Sequence, residues 1–278
     1  LLIFYYQIKK NILRARKLVI KGTNAAGSGH PGGSFSMAEI LGCLFYKHLK
    51  FDPKNPQWDN RDRLVLYKRH AAPGLFSNMA VAGYFPDSEL ETLRKFGSKL
   101  QGHPDLKCPG VEFCGGSLGT GLSYSVGVAL AGKIDSKDYH VYTIIGDGES
   151  DEGQIWEAAM YAAGNKVDNL ISTIDYNHKQ IDGDIDDVLP MGNLAQKWQA
   201  FGWEVLEMDG HNHAEIQATL NKAKSMCGNG KPIMIIMKTV MGQGVDFMMH
   251  THKWHGSAPS QEQKETALAQ LPETLGDY

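Results

Sequence analysis

Asp147 stands between Gly146 and Gly148, directly after the apolar run VYTII at 141–145. If that run is a strand, the carboxylate faces a ligand, because open parallel sheets bind ligands beyond the carboxyl ends of their strands. The two glycines let the backbone approach a diphosphate closely, and the helix predicted to follow aims its N-terminal amides and positive dipole end at the same place. A GDG triplet alone commonly makes only a turn. Asn177 changes its meaning, because it lies 30 residues further on, just past a second apolar run, LISTI at 170–174. One βαβ crossover brings its amide oxygen beside the Asp147 carboxylate. Hard oxygen donors from two adjacent strand ends suit Mg²⁺ or Ca²⁺, with diphosphate oxygens completing an octahedron at roughly 2.0–2.1 Å for Mg²⁺.

Histidine supplies the second kind of chemistry. Of the 11 histidines, His30, His70, His103 and His255 stand in Gly- or Pro-flanked loops, where an imidazole is suited to moving protons near neutral pH. His250, His252 and His255 imitate a zinc cluster, but without nearby cysteines or a regular helical register they do not make one, and His250 and His252 read as solvated loop residues. Glu152 falls in the first turn of the helix expected after Gly148, where an acid commonly does no more than offset the helix dipole.

These residues need elements to position them. Ile8, Ile12, Ala15 and Val19 recur at helical spacing, predicting an amphipathic helix from 7 to about 21. After the loop GSGHPGG, Ser36 with Glu39 three residues on resembles a capping box, opening a helix through about Leu49. Apolar runs then alternate with helical stretches: strands at 141–145, 170–174, 203–208 and 233–237, and helices near 153–164, 193–201 and 213–226. That alternation predicts an α/β fold with a parallel sheet covered on both faces, three layers in all. The tail after Pro259 is polar and reads as a surface helix, and no linker divides residues 1–278, so a single domain is expected.

With 42% hydrophobic and 21% charged residues, the chain can bury a large core. A formal charge of −3 without runs of like charge argues against nucleic acid or a membrane surface as partner. Cys43, Cys108, Cys114 and Cys227 lack CxxC spacing, which favours free thiols and a cytoplasmic protein. The opening LLIFYY is too short for a membrane span and carries Lys9 and Lys10 on the wrong side for a signal peptide; the absence of an initiator Met fits a fragment or trimmed start.

GDG followed about thirty residues on by Asn resembles the thiamine diphosphate motif, and the flanking residues resemble transketolase in particular. SGHPGG (28–33), RDRLVL with His70, GHPD (102–105), GGSLGTGLS (115–123), GDGESDEGQIWEA (146–158), DYNHKQIDG (175–183) and WHGSAP (254–259) follow the family's order and approximate spacing. The resemblance implies a thiamine diphosphate-binding fold. It implies that Asp147, Asn177 and the Lys179 carbonyl bind Mg²⁺, with Ca²⁺ or Mn²⁺ as alternatives. Gly116, Ser117, Leu118, Gly146, Gly148, Glu149, Ile181 and His255 are then cofactor contacts. His30, His70, His103 and His255 bind donor hydroxyls, stabilise oxyanions and shuttle protons. Glu152 is implied at a subunit interface. One departure concerns His70: the family usually has a small residue just before it, whereas Arg69 stands here.

The activity implied is transfer of a two-carbon ketol group from a ketose phosphate to an aldose phosphate. The Glu that activates the aminopyrimidine belongs, in the family, to a second domain for which this chain has no motifs. The resemblance therefore implies the N-terminal subunit of a split transketolase, joined to a C-terminal partner as an α₂β₂ tetramer. Another thiamine enzyme half, such as a deoxyxylulose-phosphate synthase, shares GDG and Asn177 but not the combined His30, His70 and His103 loops. A non-catalytic cofactor-binding module is a further alternative. A nucleotide-binding oxidoreductase fits poorly, since the glycines of 116–121 run GxxGxG.

Overall fold

The computed structural model describes residues 2–271, with side chains from Tyr5 onward. The ends of the expected 1–278 unit, Leu1 and residues 272–278, lie outside the described residues. Helix α1 (Leu2–Ala26) contains the amphipathic stretch read from the sequence, and Ile8, Ile12 and Val19 are buried by it. Short helices α2 (Pro31–Ser36) and α3 (Ala38–Cys43) follow, ending in a π-helical turn at Leu44–His48. Then come β1 (Arg63–Leu66), α4 (Ala72–Val81), α5 (Thr120–Ile134), β2 (Val141–Gly146), α6 (Gly153–Gly164) and β3 (Leu170–Tyr176). A two-stranded ribbon, β4 (Lys179–Gln180) with β5 (Gly183–Asp184), leads into α7 (Ile185–Val188) and α8 (Leu194–Ala200). The chain continues through β6 (Glu204–Asp209), α9 (His213–Met226), β7 (Ile233–Lys238) and α10 (Gln261–Gln270).

Five strands form one sheet in the order β1-β2-β3-β7-β6, every pair parallel. Parallel strands need both faces covered, and β7 shows how its sequence meets that demand. Ile233, Ile235 and Met237 point into a core built with α1, α3, α4 and α9, whereas Met234 and Ile236 point into a second core with α5, α6 and α8. Helix α10 opens with a capping box at Ser260 and Gln263 and lays Ala267 against Val19, Ile20 and Phe35. The expected surface helix is therefore present, docked by one apolar stripe.

The capping box expected at Ser36 and Glu39 does not form. The GHPGG segment enters a helix at Pro31, and α3 starts after Met37 with no side-chain cap. Ser36 and Glu39 are wholly buried, and a buried polar group is driven to the strongest internal partner within reach. Ser36 Oγ donates to Asp175 Oδ2 at 2.6 Å. Glu39 takes Arg16 at 2.6 Å and His211 Nδ1 at 3.2 Å, and this pairing holds its carboxyl down to about 2 despite burial. His211 Nε2 in turn accepts the Val240 amide at 2.8 Å, so the network ties α1 and α3 to the loop after β7. Among the described residues no helix is long and apolar enough to cross a membrane, and all four cysteines are free thiols.

Candidate active site

Gly146 at the end of β2 pairs in register with Asp175 on β3, so the GDG turn and the DYNHK segment emerge side by side. Asp147 is buried, and three backbone amides hold its carboxylate. Oδ1 accepts the Gly148 amide at 2.9 Å, and Oδ2 accepts those of Asn177 at 2.8 Å and His178 at 2.7 Å. His178 has φ +60, a left-handed turn that brings both amides onto one oxygen. Asn177 Oδ1 closes the turn by accepting the Lys179 amide at 3.0 Å. Burial is the largest influence on Asp147 and pushes its carboxyl up to about 7, against the opposing charge of Lys68 and with the support of neighbouring Asp175.

Asp175 is the hub beneath this turn, and no sequence motif marks it as one. Its carboxylate takes Lys68 Nζ at 2.5 Å, Ser36 Oγ, the Thr239 hydroxyl and Asn177 Nδ2 at 3.2 Å. Those donors hold it ionised below the usual carboxylate range although it is fully buried. The ends of β1, β3 and β7 are thereby joined to α2 through one carboxylate. Lys68 escapes sequence reasoning because its partner lies 107 residues away and nothing in a Lys at a strand end foretells one. A side chain at Gly33 would come within 3.1 Å of Lys68 Nζ and press on the lysine that Asp175 holds.

Three predicted histidines meet. His70, in the 3₁₀ turn before α4, stacks on His255 with ring centroids 4.5 Å apart, and His30 lies 5.2 Å from His70 and 5.8 Å from His255. Burial first, then neighbouring positive charge, lowers all three: His30 to about 4, His255 to about 3, His70 well below its ordinary value. They are neutral imidazoles at neutral pH. His70 Nε2 and His255 Nδ1 are buried without a hydrogen-bond partner among the described residues, and such orphaned groups favour a polar ligand that satisfies them. His103 stands apart at an exposed rim, its proton affinity lowered by partial burial and by Arg69 and Arg94. Arg94, also unforeseen, brings Nη2 to 3.5 Å from His30 Nδ1.

Between the carboxylate turn and the histidines lies a cleft of about 120 Å³. Gly146, Asp147, Gly148 and Glu149 form one wall, Leu118 and Ile181 offer apolar surface, and His70 and His255 form the far side with Lys68. Lys179 lines the cleft as well, whereas Asn177 sits behind Asp147 and His30 behind the histidine wall. Gly116 and Ser117 lie on the exposed loop that ends at Leu118. Glu149 ties that loop to the turn, with Oε1 on the Gly119 amide at 2.9 Å and Oε2 on the Gly146 amide at 3.1 Å. His250 and His252 are exposed, as expected, and Glu152 is exposed at the start of α6 without making a side-chain cap.

The donor set fits a metal-bridged diphosphate. The Asp147 carboxylate lines the cleft at a glycine-walled turn, with Asn177 Oδ1 behind it on the Lys179 amide, and a buried carboxylate whose proton affinity is raised lacks the positive charge that a hard cation brings. The open face at Gly116, with nothing within 4 Å of a Cβ built there, leaves room for a bulky ligand against the loop.

Comparison with known proteins agrees with this geometry. The family model described as transketolase, thiamine diphosphate binding domain, matches residues 8–276. A protein of Clostridium sp. (strain MSTE9) named 6-deoxy-6-sulfo-D-fructose transketolase subunit SqwG is 44% identical over 266 residues, covering 95% of this chain and 95% of its own length. A protein of Phocaeicola vulgatus, named as one of the subunits of an apulose-4-phosphate transketolase, is 38% identical, covering 97% and 94% respectively. Among solved structures, transketolase from Leishmania mexicana superposes with a TM-score of 0.89 at 29% identity, covering 97% of this chain and 42% of that one. The transketolase of Campylobacter jejuni does so at 0.87 and 34% identity, covering 95% and 43%. This chain thus spans less than half the length of those solved transketolases and nearly the whole length of the two subunits. It belongs to the transketolase family, as its N-terminal, thiamine diphosphate-binding part.

Proposed function

We propose that the chain is the cofactor-binding subunit of a split transketolase, moving a two-carbon ketol group from a ketose phosphate to an aldose phosphate. One observation carries the reading: a buried carboxylate turn and the stacked pair His70 and His255, with His30 behind them, face each other across a single cleft. Asp147, Asn177 and the Lys179 carbonyl would hold a divalent cation, Mg²⁺ by preference for an all-oxygen set, and through it the diphosphate. Gly146, Gly148, Glu149, Gly116, Ser117, Leu118 and Ile181 would wall the cofactor. Thiamine diphosphate, when bound, supplies a nucleophilic thiazolium carbon that accepts and releases the ketol fragment.

The remaining work falls to this chain's histidines. His70 Nε2 and His255 Nδ1, neutral and unpartnered, are free to bond sugar hydroxyls or a developing oxyanion. His30, with Nδ1 toward Arg94, holds or moves a proton from Nε2 on the side of Gly256. His103, exposed at the rim, would meet the donor's hydroxyls as the sugar enters.

Two relatives of matching length are named as subunits, which supports a separate C-terminal chain that supplies the pyrimidine-binding domain and the phosphate-gripping groups. An α₂β₂ assembly follows by family resemblance, with exposed Glu152 in its interface, and residues 1–278 acting as one cofactor domain. Four free thiols support a cytoplasmic location.

Calorimetric titration of thiamine diphosphate with Mg²⁺, and again with chelator, tests the site. Asp147→Ala is expected to weaken metal-dependent binding by on the order of 2–5 kcal/mol, the usual cost of truncating one partner of a buried charge pair. Binding at the wild-type level in that variant sinks the assignment.

A further inference from the structure

Arg69, the departure from the family pattern, is not idle beside His70. It is buried, and its guanidinium lies over the rings of Tyr67 at 4.4 Å and Phe113 at 5.0 Å. Its Nη2 donates to the Tyr67 hydroxyl at 2.8 Å. The Tyr67 hydroxyl contacts the Ser117 carbonyl and the Thr120 hydroxyl, reaching from the end of β1 to the loop that precedes α5. Phe113 stacks on Tyr124 at 4.4 Å, extending the pile into α5.

Two glycines make room for this pile. A side chain at Gly121 would collide with the Tyr67 ring, which fills the space above that position. A side chain at Gly115, which has φ +154, would come within 2.8 Å of Arg69 Nη1. That Nη1 is buried with no acceptor among the described residues. The same loop is fixed elsewhere by Gln154 on the Leu118 carbonyl at 2.7 Å and by Glu149 on the Gly119 amide at 2.9 Å. Those two grips come from the GDG side. The Ser117 carbonyl is held locally by the Thr120 hydroxyl at 3.0 Å and, from the histidine side, by Tyr67.

We infer that Tyr67 and Arg69 form a latch that positions the 115–119 loop for the cofactor, with Tyr67 gripping the Ser117 carbonyl and Arg69 locking the Tyr67 hydroxyl in place. Both are positioning residues, and the inference rests on the thiamine diphosphate reading given above. A loop ordered before the ligand arrives lowers the entropy lost on binding, so the latch acts on cofactor affinity. Because the two residues act through one carbonyl, their losses are coupled rather than additive.

Hydrogen exchange on the full chain without cofactor, paired with calorimetry of thiamine diphosphate plus Mg²⁺ on the chain assembled with its C-terminal partner, tests the latch. Tyr67→Phe keeps the ring and its packing, so it tests the hydroxyl grip even where Arg69→Ala fails to fold. Either variant should speed exchange of the amides at 115–120 and raise the cofactor dissociation constant by roughly fivefold, the worth of one neutral hydrogen bond. Exchange in α2, beyond His30, should not change, and the double variant should lose no more affinity than the worse single one. Unaltered exchange at 115–120, faster exchange with unchanged affinity, or additive losses in the double variant each overturn the latch. A wild-type chain that binds no thiamine diphosphate even when assembled with its C-terminal partner refutes the functional reading, while the exchange comparison still decides whether the latch exists.

Discussion

The two walls of the cleft are built on opposite terms. On the diphosphate side, Asp147 is satisfied by three backbone amides, Gly148 from its own turn and Asn177 and His178 from a second turn that Asn177 closes. On the histidine side, His70 Nε2 and His255 Nδ1 are buried with no hydrogen-bond partner among the described residues. A site completed by its own backbone holds its geometry whether or not a ligand is present, whereas orphaned imidazole nitrogens are completed by whatever binds. The first wall is thus suited to gripping a resident cofactor and the second to handling a transient sugar.

Substitutions of the candidate histidines, on the wall, behind it and at the rim, separate the two roles most sharply. His30→Ala, His103→Ala and His255→Ala should each cut turnover by roughly 10²–10⁴-fold, the usual range for a positioned acid or base, with little change in thiamine diphosphate affinity. Steady-state kinetics on the assembled enzyme beside calorimetry makes the check. Parallel loss of cofactor binding would erase the distinction between the walls.

Proton linkage gives a smaller, signed difference. The histidines are lowered chiefly by burial, His30 to about 4 and His255 to about 3, so the unfolded chain binds more protons below about 6.5. Their contribution to stability is whole above that pH and is lost as pH falls toward 4. Asp147 and Glu149, both pushed up to about 7 chiefly by burial, carry the opposite sign, adding stability as pH falls below that value. His255→Gln removes one histidine loss without touching the carboxylates. Its unfolding midpoint relative to wild type should rise as pH drops from about 7 to 5. Parallel midpoint curves would remove the proposed linkage. The smallest effect belongs to His252, whose side chain is exposed and whose link to His255 is a backbone one, the His255 amide donating to the His252 carbonyl at 2.8 Å. His252→Ala should leave turnover within about twofold, as surface changes usually shift energies by under 0.5 kcal/mol; a large loss there would mean that the loop has been read out of register.

The same contrast explains what the sequence could disclose. Asp147 and Asn177 were legible because strand, turn and the next strand end follow one another in a short βαβ unit, and the register of β2 with β3 then dictates their meeting. The histidine loops were legible as candidates, but their stacking depends on three distant segments. Strand β1 went unread because only four residues, Arg63–Leu66, form it, and α5 because its glycines and small residues carry little helical pattern. The Ser36 and Glu39 spacing misled, since local capping lost to buried long-range partners at Asp175 and Arg16. The Lys68–Asp175 pair had no local signal at all.

On the function proposed, one half of a transketolase resides in this chain and the other half in a partner. Ketol transfer from a ketose phosphate, measured with the purified chain alone, with its C-terminal partner alone and with both, tests that division most directly when thiamine diphosphate and Mg²⁺ are present or withheld. Turnover is expected only in the mixture and only with both cofactors, with light scattering showing an α₂β₂ assembly. Full turnover by the 278-residue chain alone would contradict it.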